Sequence, residues 1–128
     1  MTEKITLTVY RDADLPGAYT WSPFVAKLEA HLRFCQQPYT VKVGSLSESP
    51  KGKLPYVRIE DKNGAQVMSD SSLIARSLVE RGMEDLNSNL GPKERGLDLA
   101  IRALLEDRIY YYTVCIPPLS LSLFLNRC

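Results

Sequence analysis

The chain has 128 residues, enough for one ordinary domain or for a small domain plus part of another. Apolar residues make up 45% and charged residues 24%, the balance of a soluble protein, and a net charge of +1 gives no electrostatic case for nucleic acid or an anionic membrane. Three widely spaced cysteines, Cys35, Cys115 and Cys128, make neither a disulfide framework nor a zinc pattern, so a reducing compartment is the simplest setting.

The first residues, MTEKITLTVY, lack the features of a secretory signal or a transit peptide. Ile5, Leu7 and Val9 alternate with Thr6, Thr8 and Tyr10, which predicts a strand with one apolar face. Asp12 to Gly17 reads as a loop, with Pro16-Gly17 as its turn signal. Ser22-Pro23 then marks a helix start, with serine as the cap and proline at the first helical position. Phe24, Leu28, Leu32 and Cys35, with Val25, follow at helical spacing, and Gln36 to Pro38 closes the helix.

Tyr39 to Val43 is a short predicted strand. Residues 44–53 are polar and read as a loop. Leu54 to Ile59 is a strand, Asp61 to Gly64 a turn, and Gln66 to Met68 the return strand of a hairpin. Ser69 or Asp70 caps a second helix with Leu73, Ile74 and Leu78 on its inner face, ending near Gly82. A helix between the first two strands implies parallel pairing, and the hairpin implies antiparallel pairing. The expected fold is therefore α/β: a thioredoxin-like βαβ-ββα domain over residues 1–83.

Residues 84–91 read as a linker, and 92–113 as a third helix opened by Pro92. Leu97, Ile101, Leu104 and Leu105 form its apolar face, and Asp98–Arg102 and Arg102–Glu106 are spaced as ion pairs. Residues 114–128 form an apolar tail in which Pro117-Pro118 stops any helix and LSLSLFL alternates like an edge strand. At this length, and with two prolines, the tail is too short to span a bilayer, and no longer apolar run exists.

Three stretches carry a resemblance: Trp21-Ser22-Pro23-Phe24, Lys53-Leu54-Pro55-Tyr56 and Ser69-Asp70-Ser71-Ser72-Leu73-Ile74. Each opens an element, and together they resemble the N-terminal, thioredoxin-like domain of glutathione transferases. The subgroup most similar is that of the metaxins and the failed-axon-connections proteins. There an S-P-F-x-x-K-L-E helix start and a G-K-x-P strand start recur, as Ser22 to Glu29 and Gly52 to Pro55 do here. By the same resemblance, the third helix begins a second, all-helical domain that is truncated here, and residues 44–53 are short for the family's usual second helix.

The resemblance implies a glutathione site. Ser22 stands where thioredoxin relatives place their first active cysteine. Its hydroxyl would donate to the glutathione sulfur and raise the thiolate fraction, or Ser22 would serve only as a cap. Val25 stands where a second cysteine would be, so thioredoxin-type disulfide exchange is not expected. Pro55 would be the family's cis proline, turning the main chain of Leu54 toward the tripeptide. Asp70 and Ser71 would bind the γ-glutamyl end, and Lys53 or Lys51 the glycyl carboxylate. Tyr10, Arg11 and Trp21 are placed to line the cleft. Cys35 reads as packing rather than a nucleophile. A single histidine, His31, and no paired cysteine imply no metal.

Two functions follow from the resemblance. One is a transferase that activates glutathione for attack on a small electrophile. The other is a non-catalytic binding or assembly module of the metaxin-like kind. The setting expected is cytoplasmic, with the mitochondrial surface and a homodimer left open. No nucleic acid and no transmembrane segment is expected.

Overall fold

The computed structural model describes residues 5–12, 20 and 22–111. Contacts divide the chain into two units, with the boundary between Leu86 and Asn87.

The first unit holds a sheet of four strands. β1 is Thr6–Arg11, β2 Thr40–Val43, β3 Tyr56–Asp61 and β4 Gly64–Ser69, in the spatial order β2-β1-β3-β4. β1 pairs parallel with β2, from Thr8 opposite Thr40 to Arg11 opposite Val43. It pairs antiparallel with β3, with Tyr10 opposite Tyr56, and β3 pairs antiparallel with β4, with Tyr56 opposite Ser69. Between β1 and β2 runs α1, Pro23–Phe34, and after β4 comes α2, Ser71–Glu80. This mixed sheet with its helices is the thioredoxin-like α/β arrangement expected above. The predicted strand starts at Tyr39 and Leu54 come early: β2 begins its pairing at Thr40, and Leu54 and Pro55 precede the β3 ladder.

Alternation places Leu7 and Val9 of β1 and Val57 and Ile59 of β3 on one face. Leu28 and Leu32 of α1, Ile74 and Leu78 of α2, and Met83 pack onto them as one buried cluster. Both helices therefore cover the same face. Two positions differ from expectation. Leu73, expected inward, is 44% exposed, while Ser71 and Ser77 of α2 are buried. Ser71, Ile74 and Leu78 stand at i, i+3 and i+7, so the stripe that faces the sheet runs through the serines and leaves Leu73 beside it. On α1, Glu29 joins Val25, Leu28 and Leu32 in the buried stripe.

The opposite face carries Tyr10 and Tyr56, whose rings stack with centroids 4.5 Å apart and 7° between planes. Residues 44–53 form turns rather than a helix. Gly44 is the close approach: a Cβ there would come within 2.6 Å of Leu54 Cδ2 and 3.1 Å of Tyr56 Cε1. The Tyr56 hydroxyl accepts from Ser45 N–H at 3.2 Å and donates to Glu48 Oε2 at 3.3 Å. Burial pushes the Tyr56 phenol up, with the Glu48 charge adding to the shift.

In the second unit, α3 is Pro92–Ala103, continued by a π-helical stretch, Leu104–Ile109. Pro92 stands at the first helical position, and the Glu94 carboxylate accepts the Gly91 N–H at 2.7 Å. Of the expected ion pairs, Arg102 donates to Asp98 at 2.7 Å. The predicted apolar face is present but not buried: Leu97, Ile101, Leu104 and Leu105 are all exposed. The tail reading for 114–128, the Pro16-Gly17 turn and Trp21 lie outside the described residues.

Candidate functional site

The register fixes which loops meet. Arg11, Val43, Tyr56 and Ser69 stand at one end of the sheet, so the segments that leave or enter there are neighbours. These are the connection from β1 to α1, the turns after β2, the Leu54-Pro55 approach to β3, and the start of α2 after β4. Of the residues expected from the sequence to bind glutathione, Ser22, Lys53, Leu54, Pro55, Asp70 and Ser71 lie on these segments, whereas Tyr10 and Arg11 belong to β1 itself.

Ser22 caps α1, as its sequence context predicts. Its backbone is extended (φ −87°, ψ 115°) and its Oγ accepts the Val25 N–H at 3.4 Å. That bond uses an oxygen lone pair and not the hydroxyl proton. The Ser22 N–H in turn donates to Thr20 Oγ1 at 3.2 Å, and Thr20 Oγ1 donates to Asp12 Oδ1 at 2.7 Å. The helix start is thus tied to the end of β1.

The Leu54-Pro55 bond is cis. Leu54 takes no part in the β1–β3 or β3–β4 ladder. Just before it, Ser49 holds both main-chain groups of Lys53: its Oγ accepts the Lys53 N–H at 3.1 Å and donates to the Lys53 carbonyl at 2.7 Å. Ser49, which its sequence context places only in a polar loop, is buried. The Lys53 residue itself is exposed, and no ion pair of its ammonium group is found among the described residues.

Asp70 caps α2, accepting from the Ser72 N–H at 3.0 Å and the Leu73 N–H at 3.3 Å. Its φ of 81° lies where non-glycine residues are strained, at a cost of about 1–3 kcal/mol. Two cap bonds, of about 1 kcal/mol each, offset much of that. Ser71 follows as the first helical residue, and its N–H is one of those a helix start leaves without an intrahelical acceptor. Lys51 Nζ lies 3.9 Å from Asp70 Oδ2, an exposed pair that contributes little to stability. Lys27 of α1 donates to Ser72 Oγ at 3.0 Å, which brings the first half of α1 against the start of α2. The adjoining Ser69 is 5% exposed, and its hydroxyl has no hydrogen-bond partner among the described residues.

Arg11 does not line a cleft. It is fully buried, and its Nη1 donates to both Glu29 oxygens, at 3.0 and 3.1 Å. The sequence signal for this was available: Arg11 continues the Leu7, Val9 alternation, and Glu29 lies on the Val25, Leu28, Leu32 stripe. Cys35 is half-buried against the core, with its Sγ 3.4 Å from the Glu84 carbonyl. Burial, then the charges of Glu84 and Asp85, push its thiol up, which disfavours the reactive thiolate. Among the described residues no group of three or more His, Cys, Asp or Glu side chains is placed to hold a metal ion.

Two helix starts and, at Leu54, main chain outside both ladders stand at one sheet end, and groups of these kinds can bind an extended, anionic peptide. A family profile, the glutathione S-transferase N-terminal domain, matches residues 23–117. The chain belongs to this family. Membership implies that the domain binds glutathione, and the donor set at the sheet end fits that ligand. The match begins at the first residue of α1 and runs past the end of α3. No solved structure matches the chain. No helix among the described residues is long and apolar enough to cross a membrane.

Proposed function

We propose that the domain holds glutathione along the sheet end and that Ser22 stabilises its thiolate for attack on a small electrophile. The reading rests most on one observation: Leu54 enters and Asp70-Ser71 leaves the end of the sheet to which Thr20 and Asp12 tie Ser22. The Ser22 hydroxyl accepts within its own helix and so has its proton to give to sulfur. The positive end of α1 adds to that stabilisation. Leu54 supplies main-chain bonds to the cysteinyl residue, with Pro55 setting its direction. Ser71 binds the γ-glutamyl carboxylate and Asp70 the ammonium group, exchanging Lys51 for it. Lys53 or Lys51 neutralises the glycyl carboxylate. In the reaction, the thiolate forms a carbon–sulfur bond, the electrophile's leaving group departs with the electron pair, and the thiol proton goes to solvent. The cytoplasmic setting and the homodimer belong to this reading and rest on the family resemblance.

The second reading is a non-catalytic binding module of the metaxin-like kind, placed at the mitochondrial surface. The exposed apolar side chains of α3 favour it, since such a surface suits a protein partner better than catalysis. Titration of bound glutathione, followed by the ultraviolet absorbance of the thiolate, separates the two. For the transferase reading, Ser22→Ala raises the apparent thiol pKa and lowers conjugation of a model electrophile with little change in binding. Unchanged titration in that variant leaves Ser22 as a cap and favours the module.

A further inference from the structure

We infer that Thr20 is a positioning residue for Ser22, backed by Asp12 and the buried Arg11–Glu29 pair. Four contacts form a closed circuit. The Ser22 N–H donates to Thr20 Oγ1 at 3.2 Å, and Thr20 Oγ1 donates to Asp12 Oδ1 at 2.7 Å. Asp12 Oδ1 lies 3.7 Å from Arg11 Nε, and Arg11 Nη1 donates to both oxygens of Glu29. Glu29 stands on α1, about two turns beyond Ser22, so the circuit returns to the helix it started from.

Each link has a reason. Thr20 is buried, 8% exposed, and its hydroxyl is used as acceptor and donor at once. Valine has the same shape and can do neither. The Ser22 cap bond to Val25 is long, 3.4 Å, so the cap alone holds the serine hydroxyl loosely. The N–H bond to Thr20 supplies a second restraint on the same residue. A buried ion pair stabilises a fold no better than apolar side chains of similar volume, so its place here is best explained by what it orients. With Arg11 fixed by Glu29, Asp12 has a fixed cation beside it, and Thr20 has a fixed acceptor.

The effect on the thiol rests on the glutathione reading; the effect on Ser22 does not. The test therefore uses two readouts on the full chain: amide hydrogen exchange at Ser22 and the titration of bound glutathione. Thr20→Val is expected to speed Ser22 exchange about fivefold, the equivalent of one hydrogen bond. The core amides of Val57 and Ile59 should be unaffected. The thiol pKa should rise in the direction that Ser22→Ala moves it, and Thr20→Ser should restore both values. Asp12→Ala, at a partly exposed site, should act in the same direction and serves if Thr20→Val fails to fold. Wild-type exchange at Ser22 in the variants overturns the inference, and so does equal acceleration at Ser22 and the core, which marks Thr20 as merely structural. If the wild-type chain binds no glutathione, the functional reading fails, while Ser22 exchange still decides the positioning claim.

Discussion

Replacing Glu29 by alanine should cost this domain much of its stability. Arg11 is fully enclosed and donates twice to the Glu29 carboxylate, at 3.0 and 3.1 Å. Without that partner a buried cation loses both of these bonds, and Asp12, at 3.7 Å and still partly open to water, offsets the loss only in part. Breaking a buried pair in this way costs about 3–5 kcal/mol. Asp12 keeps the figure toward the lower end. A domain of this size is stable by about 5–15 kcal/mol in total, so the loss is a large share. With a urea slope of about 1.5 kcal/mol per molar, the midpoint should fall by about 2 M. Replacing both partners, Arg11→Met with Glu29→Leu, removes the desolvated charges together and should return the midpoint to within about 1 M of wild type. Urea unfolding followed by far-ultraviolet circular dichroism reads both variants. A Glu29→Ala midpoint equal to that of wild type, or a double variant no better than the single one, would show that the pair is not closed off from water as described.

Two further outcomes follow from the Tyr10–Tyr56 face. Gly44→Ala forces a methyl group to within 2.6 Å of Leu54 Cδ2, so it should destabilise by about 1–3 kcal/mol, and it should weaken glutathione binding through Leu54, seen by thermal unfolding and calorimetric titration. Burial raises the Tyr56 phenol above its ordinary value of 10.0, so between that value and the folded pKa the folded chain holds the proton that the unfolded chain releases. Stability from this group is complete below the unfolded pKa and is lost as pH rises through the folded one. Tyr56→Phe should flatten that alkaline decline in urea titrations run at a series of pH values.

Much of the fold is written in local pattern. The alternation of β1, the Ser22-Pro23 helix start and the Asp61–Gly64 turn each need only neighbouring residues, and each forms where expected. Pairing of both helices to one face follows from the same apolar stripes. What local pattern does not show depends on distant partners. Arg11 and Glu29 are charged and by type belong on the surface. Only their position on apolar stripes, 18 residues apart, marks them as a buried pair. Ser49 looks like loop filler until it is seen to clamp Lys53. Hydrophobicity alone points Leu73 inward, yet the buried stripe of α2 is set by Ser71, Ile74 and Leu78. In α3 the apolar spacing was legible, but spacing alone does not say whether a stripe is covered, nor did it foretell the π-helical stretch after Ala103. The candidate site residues are legible in the sequence as helix starts and a strand start. Their supports, Thr20, Asp12 and Ser49, are not, because each acts through a contact to another segment.

The claim that matters most is that three separate segments bind one tripeptide. Backbone amide shifts recorded while reduced glutathione is titrated into isotope-labelled protein address it directly. The account predicts saturable changes at Ser22 to Val25, at Lys53 and Leu54, and at Asp70 to Ser72, all fitting a single dissociation constant. Changes confined to one of these segments, or clustered along α3 with the sheet end silent, would contradict it.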